Sequence, residues 1–494
     1  MDKPPMIFDR DREWRALERF VNSPAPEPTL GVVSGRRRQG KTFLLQALTR
    51  ATGGFYFAAE EATETESLAQ IGRALADYLK TPGTFDFGSW DEALDQILRH
   101  CAGRTVVIDE FPYLISASPA LPSAIQHQID SRERAWGDSG PTRLILCGSA
   151  MATMGGLLSG NAPLRGRASM ELVVKPFDYQ VAADFWQADD PRLAVLLHSI
   201  TGGTPAYRTR YVDHRVPRSL AEFDDWVIDH VLDNQSPLYR EARYLITTEG
   251  RIRDTSLYHS VLGAIASGRH TRGGIAEYCG RQASDLTHAL SVLEDCDLIR
   301  VEPDAFKSNR HLFRVNEPLI QFYEAIMRRS WSRLELGQAA SVWEESRARF
   351  TSQILGPHFE QLCRSYTATS ERFGAFPSTV ASGTINDQAK RAKIEVDVVA
   401  TAAAEPGRPK RVLCIGEAKW GTRMDLHHLA RLARVRDLME RKHYDVADTA
   451  LACFSEAGFS EDLAAAAAED SRVHLIGVDE LYDRGGPEPG SMPA

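Results

Sequence analysis

The sequence predicts a multidomain α/β chain, and three observations carry that prediction. Apolar, strand-like runs alternate with helical stretches from LGVVSG to RLILCGSA. A glycine-rich loop, Gly35 to Thr42 (GRRRQGKT), joins the first run to the first helix of that series. A second alternation returns near the C-terminus, from IEVDVVA through VLCIGEAKW to VHLIGV. Such alternation packs helices on a mainly parallel sheet, and open sheets of this kind bind ligands at the carboxyl ends of their strands.

At 494 residues the chain exceeds what one hydrophobic core supports, so about three or four folding units are expected. With 43% hydrophobic and 25% charged residues, neither disorder nor a membrane class is indicated. The seven cysteines, Cys101, Cys147, Cys279, Cys296, Cys363, Cys414 and Cys453, form no CxxC pair. That spacing argues against a zinc ribbon or a secreted disulfide framework and fits a reducing cytoplasm. The N-terminus, MDKPPMIFDRDREW, lacks an apolar signal-peptide core, and no run approaches the ~20 apolar residues that span a bilayer. A soluble, cytoplasmic protein without a membrane partner is expected. The net charge of -9 argues against nonspecific coating of nucleic acid, so any such contact must be local.

Along the chain, residues 1–211 carry the first α/β alternation and 212–255 read as a helical extension. Residues 256–318 then read as three short helices followed by LIRVE and HLFRV, the order of a winged helix-turn-helix. The second α/β unit is expected over 340–482, with AEPGRPK as a hairpin loop and 483–494 as a disordered tail.

A loop that wraps phosphates needs glycines for close backbone approach, a lysine for the terminal phosphates and a hydroxyl for magnesium. Gly35, Gly40, Lys41 and Thr42 supply these between the strand LGVV and the helix KTFLLQAL, with Arg36, Arg37, Arg38 and Gln39 completing the loop. Backbone amides do the cradling in such loops, so the three arginines are expected to be solvated. The buried run VVID ends in Asp109, placed to hold magnesium, and Glu110, placed to orient or deprotonate the attacking water. Ser149, ending LILCGSA, is either a polar sensor of the γ-phosphate or a turn serine. The expected ligand is ATP with Mg2+.

With these segments in order, residues 7–211 resemble the archaeal-type ATPase family, within the STAND-like, AAA+-related P-loop proteins. The resemblance rests on DRDREW, GRRRQGKT, VVIDEFPYL, LILCGSAMATM, PLRGR and TGGTPAY. It implies that Asp9 and Arg10 lie near the adenine, and that Arg165 or Arg167 senses phosphate.

The presumed recognition helix of the winged unit, Ser284 to Asp295, carries Asp285, His288, Glu294 and Asp295, with Arg281 and Gln282 only at its entrance. A DNA-reading helix presents basic and amide side chains, so a structural or regulatory role is expected ahead of DNA recognition.

In the C-terminal unit Glu417 and Lys419 lie two apart on a strand and share a face, which Asp397 on the preceding strand can reach. Carboxylates from adjacent strands can bind Mg2+ or Mn2+ beside a lysine, an arrangement suited to phosphodiester hydrolysis. Asp397 with Glu417-Ala418-Lys419 resembles the PD-(D/E)xK nucleases, whose restriction-endonuclease-like fold is then implied, and Glu360 in HFEQLC matches their first-helix acid. The proline that usually precedes the first acid is missing. Ten basic residues surround this region, Arg431 and Arg434 among them, and favour a polyanion. The alternative is a charged, solvated strand face that only binds. The combined expectation is an ATPase coupled to a nuclease-like domain that engages nucleic acid, with a homo-oligomer left open.

Overall fold

The computed structural model describes residues 1–25, 29–131, 140–247 and 255–483. The expected tail, 483–494, lies outside the described residues except for Asp483, as does part of the helical extension, 248–254.

The first sheet contains β1 (Thr29–Ser34), β2 (Phe55–Ala58), β3 (Thr105–Asp109), β4 (Arg143–Gly148) and β5 (Ala168–Val173), in the order β2-β3-β4-β1-β5. All its pairings are parallel. Every residue of β1, β3 and β4 is buried, which explains their unbroken apolar runs: helices cover both faces, so no polar side is needed. Because β4 lies between β1 and β3, the loop after β1, Asp109 ending β3 and Ser149 just past β4 share one edge.

Helices Tyr179–Trp186, Pro191–Thr201 and Pro237–Thr247 continue the chain. The winged unit follows, with helices Thr255–Ala266, Arg272–Cys279 and Thr287–Asp295, then an antiparallel hairpin of β6 (Ile299–Asp304) and β7 (Lys307–Val315). Its third helix begins three residues later than expected, because 283–286 form a turn before Thr287.

Helices Ala339–Phe350 and Gly356–Ala368 lead to the second sheet. It contains β8 (Thr379–Asp387), β9 (Ala392–Thr401), β10 (Val412–Lys419), β11 (Ala450–Ser455) and β12 (Val473–Gly477), in the order β12-β11-β10-β9-β8. β8, β9 and β10 form an antiparallel meander, whereas β11 and β12 run parallel to β10. The helix Leu426–Glu440 supplies the crossover from β10 to β11.

One apolar cluster joins the helices that follow the first sheet to the second sheet, while the first sheet and the winged unit have clusters of their own. The joining cluster runs from Tyr179 and Trp226 through Phe322 and Trp343 to Phe359 and Phe454. The Tyr179 hydroxyl donates to the Leu481 carbonyl at 2.8 Å, and its ring meets Tyr482 edge-on at 5.2 Å. The expected boundaries at 211 and 340 therefore mark no break in the core, and a fragment starting at 340 would expose the face that covers helix Tyr179–Trp186. Among the described residues no helix is long and apolar enough to cross a membrane.

Candidate active sites

The loop after β1 turns sharply because its glycines permit it. Gly35 has φ 145°, and a Cβ there would stand 2.3 Å from the Val174 carbonyl oxygen; Gly40, at φ 87°, caps the helix Lys41–Thr52. The Lys41 ammonium lies inside the loop, donating to the carbonyls of Gly35 at 2.6 Å and Arg36 at 2.9 Å. Burial lowers its pKa, partly offset by Glu110 and Asp109.

Thr42 Oγ1 donates to Asp109 Oδ2 at 2.8 Å, and the Tyr56 hydroxyl donates to the same oxygen at 2.7 Å. Burial and Asp109 hold Tyr56 protonated well above its usual range, so it remains a donor. Asp109 Oδ1 accepts from the Glu110 amide at 2.9 Å. Both Asp109 oxygens are thus held, and Oδ2 lies against Thr42, the pair of groups that would hold magnesium. The ion would supply charge neutralisation at the phosphates. Glu110 has a left-handed backbone, φ 51°, that turns its side chain away from the strand direction, and Ser149 Oγ donates to its Oε2 at 3.3 Å. Tyr56 was not singled out in the sequence; its place at the next strand's edge, one pairing step from Ile108, brings it to Asp109.

The loop arginines depart from the expectation that they are solvated. Arg36 is 6% exposed and pairs with Glu317 at 2.5 Å and Asp297 at 3.7 Å, two acids beyond the hairpin and helix of the winged unit. Arg38 pairs with Glu241, itself 1% exposed, and stacks its guanidinium over Tyr211 at 5.1 Å. Arg37 reaches the Tyr113 hydroxyl at 3.4 Å, and Gln39 Nε2 donates to Thr204 at 3.1 Å. The physical reason is enclosure: the winged unit and helix Pro237–Thr247 close over the loop, and acids there satisfy guanidiniums that would otherwise be stranded. Glu317→Ala should leave the Arg36 charge buried without its close partner. A loss of about 3–5 kcal/mol is expected, read as a lower midpoint in chemical denaturation. A solvated arginine pair would give a change below about 1 kcal/mol.

The remaining sequence-derived candidates at this end are engaged with the protein. Arg10 donates to Glu13 at 2.9 Å, the Lys175 carbonyl at 2.8 Å and the Gln39 carbonyl at 3.2 Å, and lies over Phe177. It therefore braces the back of the loop, while Asp9 beside it is exposed. Arg165 donates to the Gly160 carbonyl at 2.6 Å. Arg167 forms a two-pronged pair with Asp130, 2.7 Å on each side.

On the winged unit, the exposed positions of helix Thr287–Asp295 and its entrance include Arg281, Gln282, Asp285, His288, Glu294 and Asp295, the others being Ala283, Ser284, Thr287 and Ser291. Three acids against one arginine oppose a phosphate backbone. Full-length protein carrying Arg281→Ala with Gln282→Ala should bind duplex DNA within about twofold of wild type; a tenfold loss with a change in sequence preference would establish reading by this helix.

In the second sheet, Glu417 and Lys419 project to one face of β10 and Asp397 reaches it from β9, as their period-two spacing requires. Lys419 Nζ is 3.1 Å from Glu417 Oε1 and 3.9 Å from Asp397 Oδ2, and Asp397 Oδ2 accepts from the Ala418 amide at 2.9 Å. Asp397 and Glu417 are 6% and 3% exposed. Burial raises Asp397, and burial together with Asp397 pushes Glu360, on helix Gly356–Ala368, up to about 7. Burial alone would lower Lys419, but Asp397 and Glu417 more than offset it and raise it.

The donor set suits a hard divalent cation: oxygen ligands from three elements, and a buried Glu417 Oε2 without a hydrogen-bond partner. The three carboxylates are not drawn within 4.8 Å of one another; among the described residues the set that is comprises Asp425, His427 and His428. That closeness has a local cause, since Asp425 caps helix Leu426–Glu440: its Oδ1 accepts from the His427 amide, and its own amide donates to His428 Nδ1 at 3.2 Å. Arg431 pairs with Glu417 Oε1 and donates to the Glu395 carbonyl at 2.7 Å. Arg434 holds both oxygens of Asp387 at 2.9 and 3.0 Å. Part of the basic excess seen in the sequence is thereby neutralised within the fold.

No family model matches the chain. Uncharacterized protein MJECL04 of Methanocaldococcus jannaschii is 28% identical over 377 residues, covering 75% of this chain and 80% of that protein. Among solved structures, the Walker-type ATPase PABY2304 of Pyrococcus abyssi is 20% identical with a TM-score of 0.48, over 64% of this chain and 96% of that one. The ORC2 protein of Aeropyrum pernix, in ADPNP-ADP complexes, is 16% identical with a TM-score of 0.44, over 70% and 97%.

Proposed function

We propose that the chain binds and hydrolyses ATP at the loop Gly35–Thr42 and uses a second, metal-dependent site at Asp397, Glu417 and Lys419 to hydrolyse phosphodiesters of nucleic acid. The observation that carries the first half is the placement of Lys41, Thr42, Asp109 and Glu110 at one edge of a parallel sheet, with Thr42 and Asp109 in contact. The second half rests on two adjacent strands presenting Asp397, Glu417 and Lys419 to one spot, with Glu360 beside Asp397 and one Glu417 oxygen unsatisfied. There Asp397, Glu417 and Glu360 would hold a divalent ion, which supplies polarisation of the phosphoryl oxygens. Lys419 would place its ammonium against the negative charge that develops on phosphorus. This reading is of a nuclease-like effector appended to an ATPase of the archaeal STAND-like or AAA+ type, in the cytoplasm.

A second reading has a specific observation behind it. Arg431 and Lys419 both pair with Glu417, which is what a structural ion network in a binding-only domain would show. The chain would then be an ATP switch whose C-terminal unit binds nucleic acid or protein. The test is cleavage of labelled DNA and RNA by the full chain, with wild type, Lys41→Ala and Asp397→Ala compared. Each is assayed in Mg2+ or Mn2+, with ATP, a nonhydrolysable analogue or no nucleotide. Cleavage lost in Asp397→Ala supports the nuclease reading; binding of the same oligonucleotides without cleavage by any version supports the switch. Nucleotide affinity unchanged in folded Lys41→Ala would remove the ATP site from both.

A further inference from the structure

A cavity of about 920 Å³ lies where the first sheet, the winged unit and helix Gly356–Ala368 meet. Its size is that of a small-molecule site. It lies apart from the acids of the second sheet, none of which lines it, and touches the phosphate loop only at Gly35 and Arg36.

One end of this cavity is rich in guanidinium groups. Gln361 Oε1 accepts from Arg300 Nη2 at 2.9 Å and from Arg364 Nη2 at 2.8 Å, which ties two of them to one point. Arg314 joins them, and its nearest carboxylate, Glu302 at 3.7 Å, is already bonded to Arg300 at 2.6 Å. Arg364 otherwise donates to the Asp397 carbonyl at 3.0 Å, and its carboxylate neighbour Glu360 stands 4.0 Å away. Three cations thus share one close carboxylate.

Unmet hydrogen-bonding capacity collects on the same walls. Arg314 Nε, Arg36 Nε, His198 Nε2 and Gln353 Oε1 are buried without hydrogen-bond partners, and all four residues line the cavity. A buried polar atom left unpaired costs free energy that a ligand or water can recover. Burial, reinforced by Arg364, lowers Arg314, and burial with Arg314 holds the neighbouring His270 neutral, down to about 3. Val174, Phe177, Ile265 and Leu362 give the rest of the wall an apolar character suited to an organic group.

We propose that this cavity is a binding site for a small phosphate-bearing molecule, distinct from the ATP and metal sites, with its phosphate held by Arg300, Arg314 and Arg364. Guanidinium forks match phosphate oxygens two at a time, which suits a cluster over a point charge. A duplex is too wide for the cavity, so the ligand is of nucleotide size or smaller.

The test uses the full chain saturated with Mg2+ and a nonhydrolysable ATP analogue, so that the phosphate loop is occupied, and titrates inorganic pyrophosphate by calorimetry. One further saturable site is expected. Arg314→Gln should weaken it at least about tenfold, with analogue affinity unchanged and with Arg314→Lys intermediate. Arg300→Gln, at the more exposed edge, gives the same comparison should the Arg314 variants melt early. Asp397→Ala should leave pyrophosphate binding intact. The proposal fails if wild type shows no pyrophosphate site beyond the analogue, or if affinity is the same in Arg314→Gln and Arg300→Gln as in wild type. It also fails if binding is lost in Asp397→Ala alone, which would put the anion on the metal acids. A short single-stranded oligonucleotide binding in an Arg314-dependent way where pyrophosphate does not would make the cavity a strand path, and that too overturns it.

Discussion

Asp397→Ala should reduce metal-dependent cleavage by the full chain more than about a hundredfold, because even partners of metal ligands, one shell out, cost that much when removed. Asp397 is placed to matter twice over. Its Oδ2 is fixed by the Ala418 amide, so its carboxylate orientation is built into the β9–β10 pairing, and it faces the Lys419 ammonium at 3.9 Å. Removing it would take away an oxygen of the proposed metal site and leave Lys419 with Glu417 alone. Asp397→Asn keeps the shape and loses the charge, so it should fall nearly as far if the role is electrostatic. ATP turnover should survive both changes, since the two sites belong to separate sheets. The measurement is cleavage of end-labelled DNA and RNA in Mn2+ with parallel phosphate release from ATP. Wild-type cleavage by folded Asp397→Ala would put the chemistry elsewhere.

The full chain is needed because residues 179–239 and 319–481 share one core. In the sequence the second α/β alternation, over 340–482, stands apart from the first. In the fold, Tyr179 bonds and stacks against Leu481 and Tyr482, and Trp343 and Phe359 belong to the same cluster as Trp226. Such long-range apolar contacts leave no periodic trace in either segment, because each helix shows only that it has an apolar face and not what covers it.

Buried strands were the most legible feature. TVVID and RLILCG are read directly because a strand covered on both sides must be apolar throughout. β5 and β8 were missed for the converse reason. ASMELV and TVASGTIND are edge strands with mixed burial, and their polar and small residues resemble loops. The phosphate loop was legible as spacing, since its chemistry depends on residues next to one another in the chain. The destination of its arginines was not, since Asp297, Glu317 and Glu241 are more than two hundred residues away in sequence. The arginine cavity was hidden likewise, its three cations and Gln361 coming from the hairpin and a later helix.

Glu110→Gln should bind ATP with near-wild-type affinity and hydrolyse it about 10²–10⁴-fold more slowly, the range associated with loss of a general base. The neighbouring acid is unsuited to that work. Asp109 receives hydrogen bonds from Thr42, Tyr56 and the Glu110 amide, so both its oxygens are already engaged. Glu110 is held less tightly, by Ser149 at 3.3 Å on Oε2, and it stands near enough to Lys41 to favour the charged ammonium. The amide of glutamine keeps that contact and the side-chain volume but cannot take a proton from water. Ser149→Ala, which loosens the carboxylate without removing it, should cost far less, about tenfold or under. Phosphate release and analogue affinity, measured on the same preparations, separate turnover from binding. A Glu110→Gln protein that hydrolyses ATP at the wild-type rate would assign the water to another residue, and a large loss of affinity in that variant would instead make Glu110 part of the nucleotide's binding shell.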